Sequence, residues 1–353
     1  MVYIAGWLLS YWGAMLWYIG LRSKLVFLPV LLYVTIVIVI RYSGTDTFGI
    51  YEQLLGQLLR GEQSLFLSGW EPAFVAVSEI FLHITQSEVW SVRAIGLLFM
   101  ATLTLFYMRA DKTEQKVFFL YLFPAFVYQL GMNAIRFGLA FAFILLGWQA
   151  LRRGKFWAYV VLSLTATLFH YSAAVIALLL FLLEINLKRP AVVVGATVFL
   201  VGLLLLAVSR QEYLEAKLFL YADYASPSVW SGLSRSFAVT TILFGFIMPF
   251  DVRRMKVATL LLMLTLLGQG LALFSYAGLR ILDILAASTP LVLLRWLDRN
   301  GLAPSKAFWL GLTLAGIASC FFLYRNFLSD YDGQLTGTLT PFLPYRTVFN
   351  YNP

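Results

Sequence analysis

Near the middle of the chain a long apolar run opens on two polar residues, Asn133 and Arg136, in "NAIRFGLAFAFILLG" at 133–147. Residues three apart on a helix share a face, so an amide and a guanidinium at this spacing could grip one oxyanion together. Arg280 and Asp283 repeat the spacing in "GLRILD", where a structural ion pair and a phosphate contact are equally good readings. His170 stands beside Tyr171 in "LFHYSAA"; a lone histidine there is as readily a satisfied structural group as a proton carrier. Asp46, after Gly44 and Thr45, could cap the helix that follows or take part in chemistry. Trp70 and Glu71 sit together in "GWEP". The shared spacing of amide and guanidinium supports an arginine-centred oxyanion contact. Cys320 is the single cysteine and the two histidines are far apart, so a zinc site and a disulfide are not expected. Nor is there a nucleotide-binding glycine motif or a recognisable acidic pair for a divalent metal. The expectation is a site with no metal and no cofactor.

The elements that must position these residues are membrane helices. Of 353 residues, 61% are apolar or aromatic and 12% charged, where a soluble domain has about 45–50% and about 25%. Apolar blocks recur near 2–21, 24–40, 91–109, 117–132, 134–151, 156–170, 172–187, 191–208, 236–250, 257–275, 279–297 and 306–324. Blocks of about 17–25 residues suit spanning helices, not the alternating ten-residue strands of a membrane barrel. The fold expected is all-α: a polytopic integral membrane protein with about 12 spanning helices in a single transmembrane domain over 1–353. The first block has no basic lead or small-residue cleavage pattern and reads as a retained span.

Basic clusters at Arg22 and Lys24, Lys112 and Lys116, Arg152 to Lys155, Lys188-Arg189, Arg253 to Lys256, and Arg299 with Lys306 alternate correctly if all are cytoplasmic. The net charge of +9 then follows from topology and implies no nucleic-acid partner. Residues 72–90 are apolar enough to span, but counting them would invert the loop 109–116. An outer interfacial or re-entrant helix fits better, with both termini outside. That topology collects the polar residues on one side: an outer loop 41–90 with Arg41, Asp46, Tyr51, Trp70 and Glu71; the ends carrying Asn133, Arg136, His170, Tyr171, Arg280 and Asp283; an outer loop 209–235 with Arg210, Tyr221, Tyr224 and Arg235; and an outer tail 325–353 with Tyr345 and Arg346. Ionisable groups at membrane helix ends are costly unless they meet a cavity or partner, although Arg136 lies near enough to its helix end to snorkel to lipid phosphates.

The ordered set "RYSGTDTFGIY", "WEP", "NAIRFGLAFAFILLG", "TLFHYSA" and "DGQLTGTLTPFLPY" resembles the EpsG branch of the Wzy-type polysaccharide polymerases, over most of residues 41–346. Where members often continue Asn-x-x-Arg with Gln, Phe137 follows Arg136 here.

The resemblance implies a glycosyltransferase that joins polyprenyl-pyrophosphate-linked oligosaccharide repeats, donor to acceptor, at the outer face of the bacterial inner membrane. Chain-length regulator and flippase proteins are candidate partners beside the lipid bilayer. Cleavage of the anomeric bond leaves negative charge on the departing pyrophosphate, which fixed cations stabilise. Arg136 and Arg280 are the first choices, with Asn133, Arg210, Arg235 and Arg41 as auxiliaries. His170 is the most economical base for the acceptor hydroxyl because histidine titrates near working pH; Asp46 and Glu71 are alternatives. Tyr171, Tyr221, Tyr224, Tyr345 and Trp70 could line a sugar groove. A polysaccharide ligase and a flippase or transporter remain the competing readings.

Overall fold

The computed structural model describes residues 1–21, 23–44, 46–62, 70–183, 190–209, 211, 215, 231–248, 250–329 and 339–349. Each of the twelve apolar blocks contains a helix: α1 Val2–Tyr18, α2 Leu28–Val39, α5 Glu88–Arg109, α7 Phe123–Met132, α8 Ile135–Arg152, α9 Phe156–Phe169, α10 Ala173–Leu182, α11 Pro190–Ser209, α12 Leu233–Ile247, α13 Val252–Ala272, α14 Tyr276–Arg299 and α15 Lys306–Phe327. Between them stand α3 Gln53–Leu59, α4 Pro72–Thr85 and α6 Lys112–Val117. No strand occurs among the described residues, only an isolated bridge between Arg41 and Thr347. Among the described residues, five helices, α5, α8, α13, α14 and α15, are long and apolar enough to cross a membrane. Helix α11, at 20 residues, has comparable length, and the chain is an all-α helical membrane protein.

The chain divides into two compact units. The first holds Met1–Phe143, Leu168–His170 and Cys320–Pro353; the second holds Ile144–Thr167 and Tyr171–Ser319.

In the first unit, proline chemistry shapes the 117–132 block. A π-helical turn at Phe118–Leu122 precedes α7, and Pro124 lies in that helix's first turn. Proline has no N–H to give to the carbonyl four residues back. The Tyr11 hydroxyl donates to that carbonyl, Leu120 O, at 3.4 Å. The Pro124 carbonyl in turn accepts from Trp7 Nε1 at 3.0 Å and from Cys320 Sγ at 3.5 Å.

The 72–90 stretch is not one helix. Helix α4 ends at Thr85, Gln86 adopts a left-handed conformation (φ 50°), and Ser87 caps α5 by accepting from Trp90 N. Helix α4 has fourteen residues and packs on α5. Residues 339–349 close back on the end of α2. Gly44 N donates to Pro341 O (2.8 Å), Tyr42 N to Arg346 O (2.7 Å) and Val348 N to Ile40 O (3.0 Å). Arg346 N also donates to Ser43 Oγ at 2.9 Å. The segment leading to Asp46 is therefore held by the far end of the sequence.

In the second unit, α13 and α14 form a tight pair joined by Leu273–Ser275, with Ser275 capping α14. Gly278 permits the approach: a Cβ there would stand 2.1 Å from Ala272 N and 2.5 Å from its Cα. Backbone cannot yield as a side-chain tip can, so Gly278→Ala is expected to destabilise by about 1–3 kcal/mol. A lowered thermal midpoint in detergent checks this, and an unchanged one would contradict the contact.

Candidate functional site

The cluster around Arg136 grows from three separate pieces of the first unit. Pro72 sits at the first position of α4, where a missing N–H is harmless, and it holds Glu71 extended at φ −66°, ψ 135°. Glu71 makes no capping bond with its side chain. Its Oε2 accepts from Arg136 Nη1 at 2.5 Å. Arg136 occupies the second position of α8. Its guanidinium lies 4.3 Å from the Trp70 ring centroid and 5.9 Å from that of Phe74. Trp70 and Phe74 stack at 5.3 Å, and Tyr51 meets both edge-on or tilted, at 5.7 and 5.8 Å. Tyr51 also receives a hydrogen bond from Arg136. Burial pushes its hydroxyl above the ordinary value, Arg136 pulls it back and Asp46 adds to the rise.

The charge balance here is unusual. The Glu71 side chain is 1% exposed and that of Arg136 17%. Glu71 Oε1 is buried with no hydrogen-bond partner among the described residues. A buried acceptor left in this way is expensive, and it marks a position where a donor from outside would be welcome.

Asn133 and Arg136 do not share a helical face. Helix α7 ends at Met132, Asn133 is its C-cap at φ −113°, ψ −73°, and α8 begins only at Ile135. The i,i+3 argument assumed one continuous helix, and the chain turns between the two residues. His170 lies between α9 and α10, its ring 5.4 Å edge-on from Phe137, the neighbour of Arg136. Tyr171 belongs to the second unit.

Arg41 stands in another cluster of the first unit. It is wholly buried and donates to the Ile38 carbonyl. Arg93, 1% exposed, donates to Arg41 O at 2.8 Å and to Val89 O at 3.1 Å, and pairs with Glu52. Burial lowers Arg41 to about 9, the like charge of Arg93 adding to the fall. Gly96 makes room, since a Cβ there would touch Arg41 Nη1 at 3.3 Å. Tyr345 donates its hydroxyl to Val37 O at 2.7 Å.

The second unit carries its own cationic group. Asp283 pairs with Arg235 Nε at 2.7 Å and with Arg280 Nη1 at 3.9 Å. Two guanidiniums on one carboxylate leave a net positive charge. The Arg280 side chain is 60% exposed, so its pairing with Asp283 is weak. Arg210, Tyr221 and Tyr224 lie outside the described residues.

A family model described as the EpsG family matches residues 24–347. The chain belongs to the EpsG family. No curated protein and no solved structure matches it. Family membership and the apolar helices together make this EpsG-family chain a multi-pass membrane protein with a polysaccharide-polymerase-like, glycosyltransferase-type role.

Two residues of this EpsG-family chain escaped the sequence reading. Arg93 was visible as a permanent cation inside the apolar run "EVWSVRAIGLL", the kind of residue that demands a partner in a membrane helix. Glu52, its partner, stands next to Tyr51, so consecutive residues of the π-helical turn Thr47–Glu52 serve the two clusters.

Proposed function

We propose that this EpsG-family protein joins polyprenyl-pyrophosphate-linked oligosaccharide repeats into polysaccharide at the outer face of the bacterial inner membrane. The observation that carries the reading is Arg136 at the head of α8, held by one buried carboxylate and stacked on Trp70. The donor's pyrophosphate lies at the membrane interface, with the polyprenyl tail in lipid and the sugars in water. A guanidinium at a helix end meets it at that depth. It presents a planar fork to phosphate and keeps its charge in a dry site. As the anomeric bond breaks, charge grows on the departing pyrophosphate, and a cation already in place lowers the barrier. Trp70, half-buried beside Arg136, is the aromatic candidate for contact with a sugar ring. Asp46, Glu71 and His170 are the available proton acceptors, and Arg235 with Arg280 are candidates for further phosphate contacts.

A ligase and a flippase share much of this logic, and product separates them. Purified protein in liposomes, supplied with its lipid-linked repeat, is expected to give a ladder of lengths. A single joined product would mean a ligase; movement of the lipid without bond formation would mean a transporter.

The reading also requires a topology. Glu62 and Gln86 are exposed on either side of α4, and Asn300 is exposed after α14. In a Cys320→Ser background, cysteines at Glu62 and Gln86 are both expected to react with a membrane-impermeant thiol reagent in intact spheroplasts, and one at Asn300 is not. Labelling at Gln86 without Glu62 would place Asp46 and Glu71 on the cytoplasmic side and remove them from the reaction.

A further inference from the structure

We infer that Glu71 is the base for the acceptor hydroxyl, and that its ion pair with Arg136 ties proton removal to departure of the pyrophosphate. This rests on the polymerase reading and assigns the proton acceptor that it leaves open. Three observations carry it. Glu71 Oε2 is taken by Arg136. Glu71 Oε1 is buried and has no hydrogen-bond partner among the described residues. The guanidinium that holds the carboxylate, which the polymerase reading assigns to the leaving phosphate, has Trp70 and Tyr51 beside it. A carboxylate in this position accepts only, so the missing partner is a donor. A sugar hydroxyl is a donor of the right kind.

The step balances without further reagents. The acceptor O–H bond breaks and its proton goes to Glu71 Oε1. The acceptor oxygen forms a bond to the donor's anomeric carbon. The bond from that carbon to the pyrophosphate oxygen breaks, and its electron pair leaves with the pyrophosphate. Before the step Arg136 faces a carboxylate anion. During it the carboxylate is neutralised while a phosphate oxygen gains charge, so the guanidinium exchanges one anion for the other without moving far. An interaction that strengthens toward the leaving group only as the reaction proceeds favours the transition state over the bound substrate. Glu71 is wholly buried, so the acceptor hydroxyl reaches Oε1 only when neighbouring side chains move aside.

His170 has the weaker geometry. Its ring packs edge-on against Phe137, on the far side of one residue from the guanidinium. Asp46 stands at the N-cap of the turn that carries Tyr51.

The test compares full-length wild type, Glu71→Gln, Glu71→Asp and His170→Gln in lipid nanodiscs. Binding is read with sugar-free polyprenyl pyrophosphate, the leaving group itself, and turnover is read as polymer ladder from the lipid-linked repeat. Glu71→Gln is expected to bind the pyrophosphate as tightly as wild type or more so, because Arg136 no longer faces a charge. Its turnover should fall about 100-fold or more, the range a general base contributes. Glu71→Asp keeps the charge and so guards against misfolding of the amide variant; it should bind normally and turn over between the two. A larger loss of turnover in His170→Gln than in Glu71→Gln, with pyrophosphate binding intact in both, would move the base to His170 and overturn the assignment. Wild-type turnover in Glu71→Gln would overturn the assignment, as would loss of binding with turnover per bound complex unchanged, which makes Glu71 a positioning residue for Arg136. Wild-type protein that fails to bind polyprenyl pyrophosphate would overturn the polymerase reading itself, a distinct result.

Discussion

Arg136→Lys is expected to lose most polymerisation, by about 100-fold, a range seen when one preorganised transition-state donor is removed, while expression and folding stay normal. Lysine keeps the positive charge, so the ion pair with Glu71 can re-form and the fold has no reason to fail. What disappears is geometry. The guanidinium makes three sets of contacts at once: Nη1 to Glu71 at 2.5 Å, a hydrogen bond to Tyr51, and a face laid 4.3 Å from the Trp70 centroid. An ammonium is a point charge with no flat face and no fork, and it cannot hold a carboxylate and chelate a phosphate in the same plane. The readout is ladder length and rate at matched protein level. Near-wild-type ladders would mean that the cation acts only as bulk positive charge at the interface, as a snorkelling arginine would. The same swap at Arg280 asks a different question: an exposed partner 3.9 Å from Asp283 can be lost with little effect on stability, so any fall in turnover there reports a phosphate contact.

Much of the architecture was legible because the membrane leaves few alternatives. Apolar blocks must become helices, and each did. The internal breaks were harder. The turn between Met132 and Ile135 interrupts a stretch that is apolar on both sides, and asparagine there, read as the first residue of a binding pair, serves as a helix terminator. At 85–88 the signal lay in a left-handed Gln86, a residue type that composition does not mark out for a turn. Within the site, Trp70, Glu71 and Arg136 were each singled out by type and setting. Their union was not legible, because the carboxylate and guanidinium are 65 residues apart, and local spacing carries no information at that range. The tail had the same difficulty. Tyr345 was noticed for its aromatic ring, whereas its hydroxyl reaches Val37 O over 308 positions.

The largest stability effect is expected at Glu52. It is the carboxylate recorded against Arg93 in a cluster that also holds Arg41, and both arginines are essentially excluded from solvent. Arg41, lowered to about 9, is still a cation at neutral pH. Burial raises the Glu52 carboxyl while Arg93 and Arg41 oppose that rise, which is the signature of a charge kept in place by its neighbours. Removing one partner of a buried pair leaves the other charge uncompensated and costs about 3–5 kcal/mol. Glu52→Leu should therefore lower the thermal midpoint sharply and reduce the yield of folded protein. The mechanism makes a second demand. If the damage is the stranded charge of Arg93 and not lost packing at residue 52, adding Arg93→Met must recover part of the stability, because the double variant buries one cation fewer beside the lost carboxylate. A double-mutant cycle on thermal midpoints measures that coupling. Additive losses would assign the cluster to packing alone. Recovery would show that the two arginines are tolerated because Glu52 lies against them, on the same turn that presents Tyr51 to Arg136.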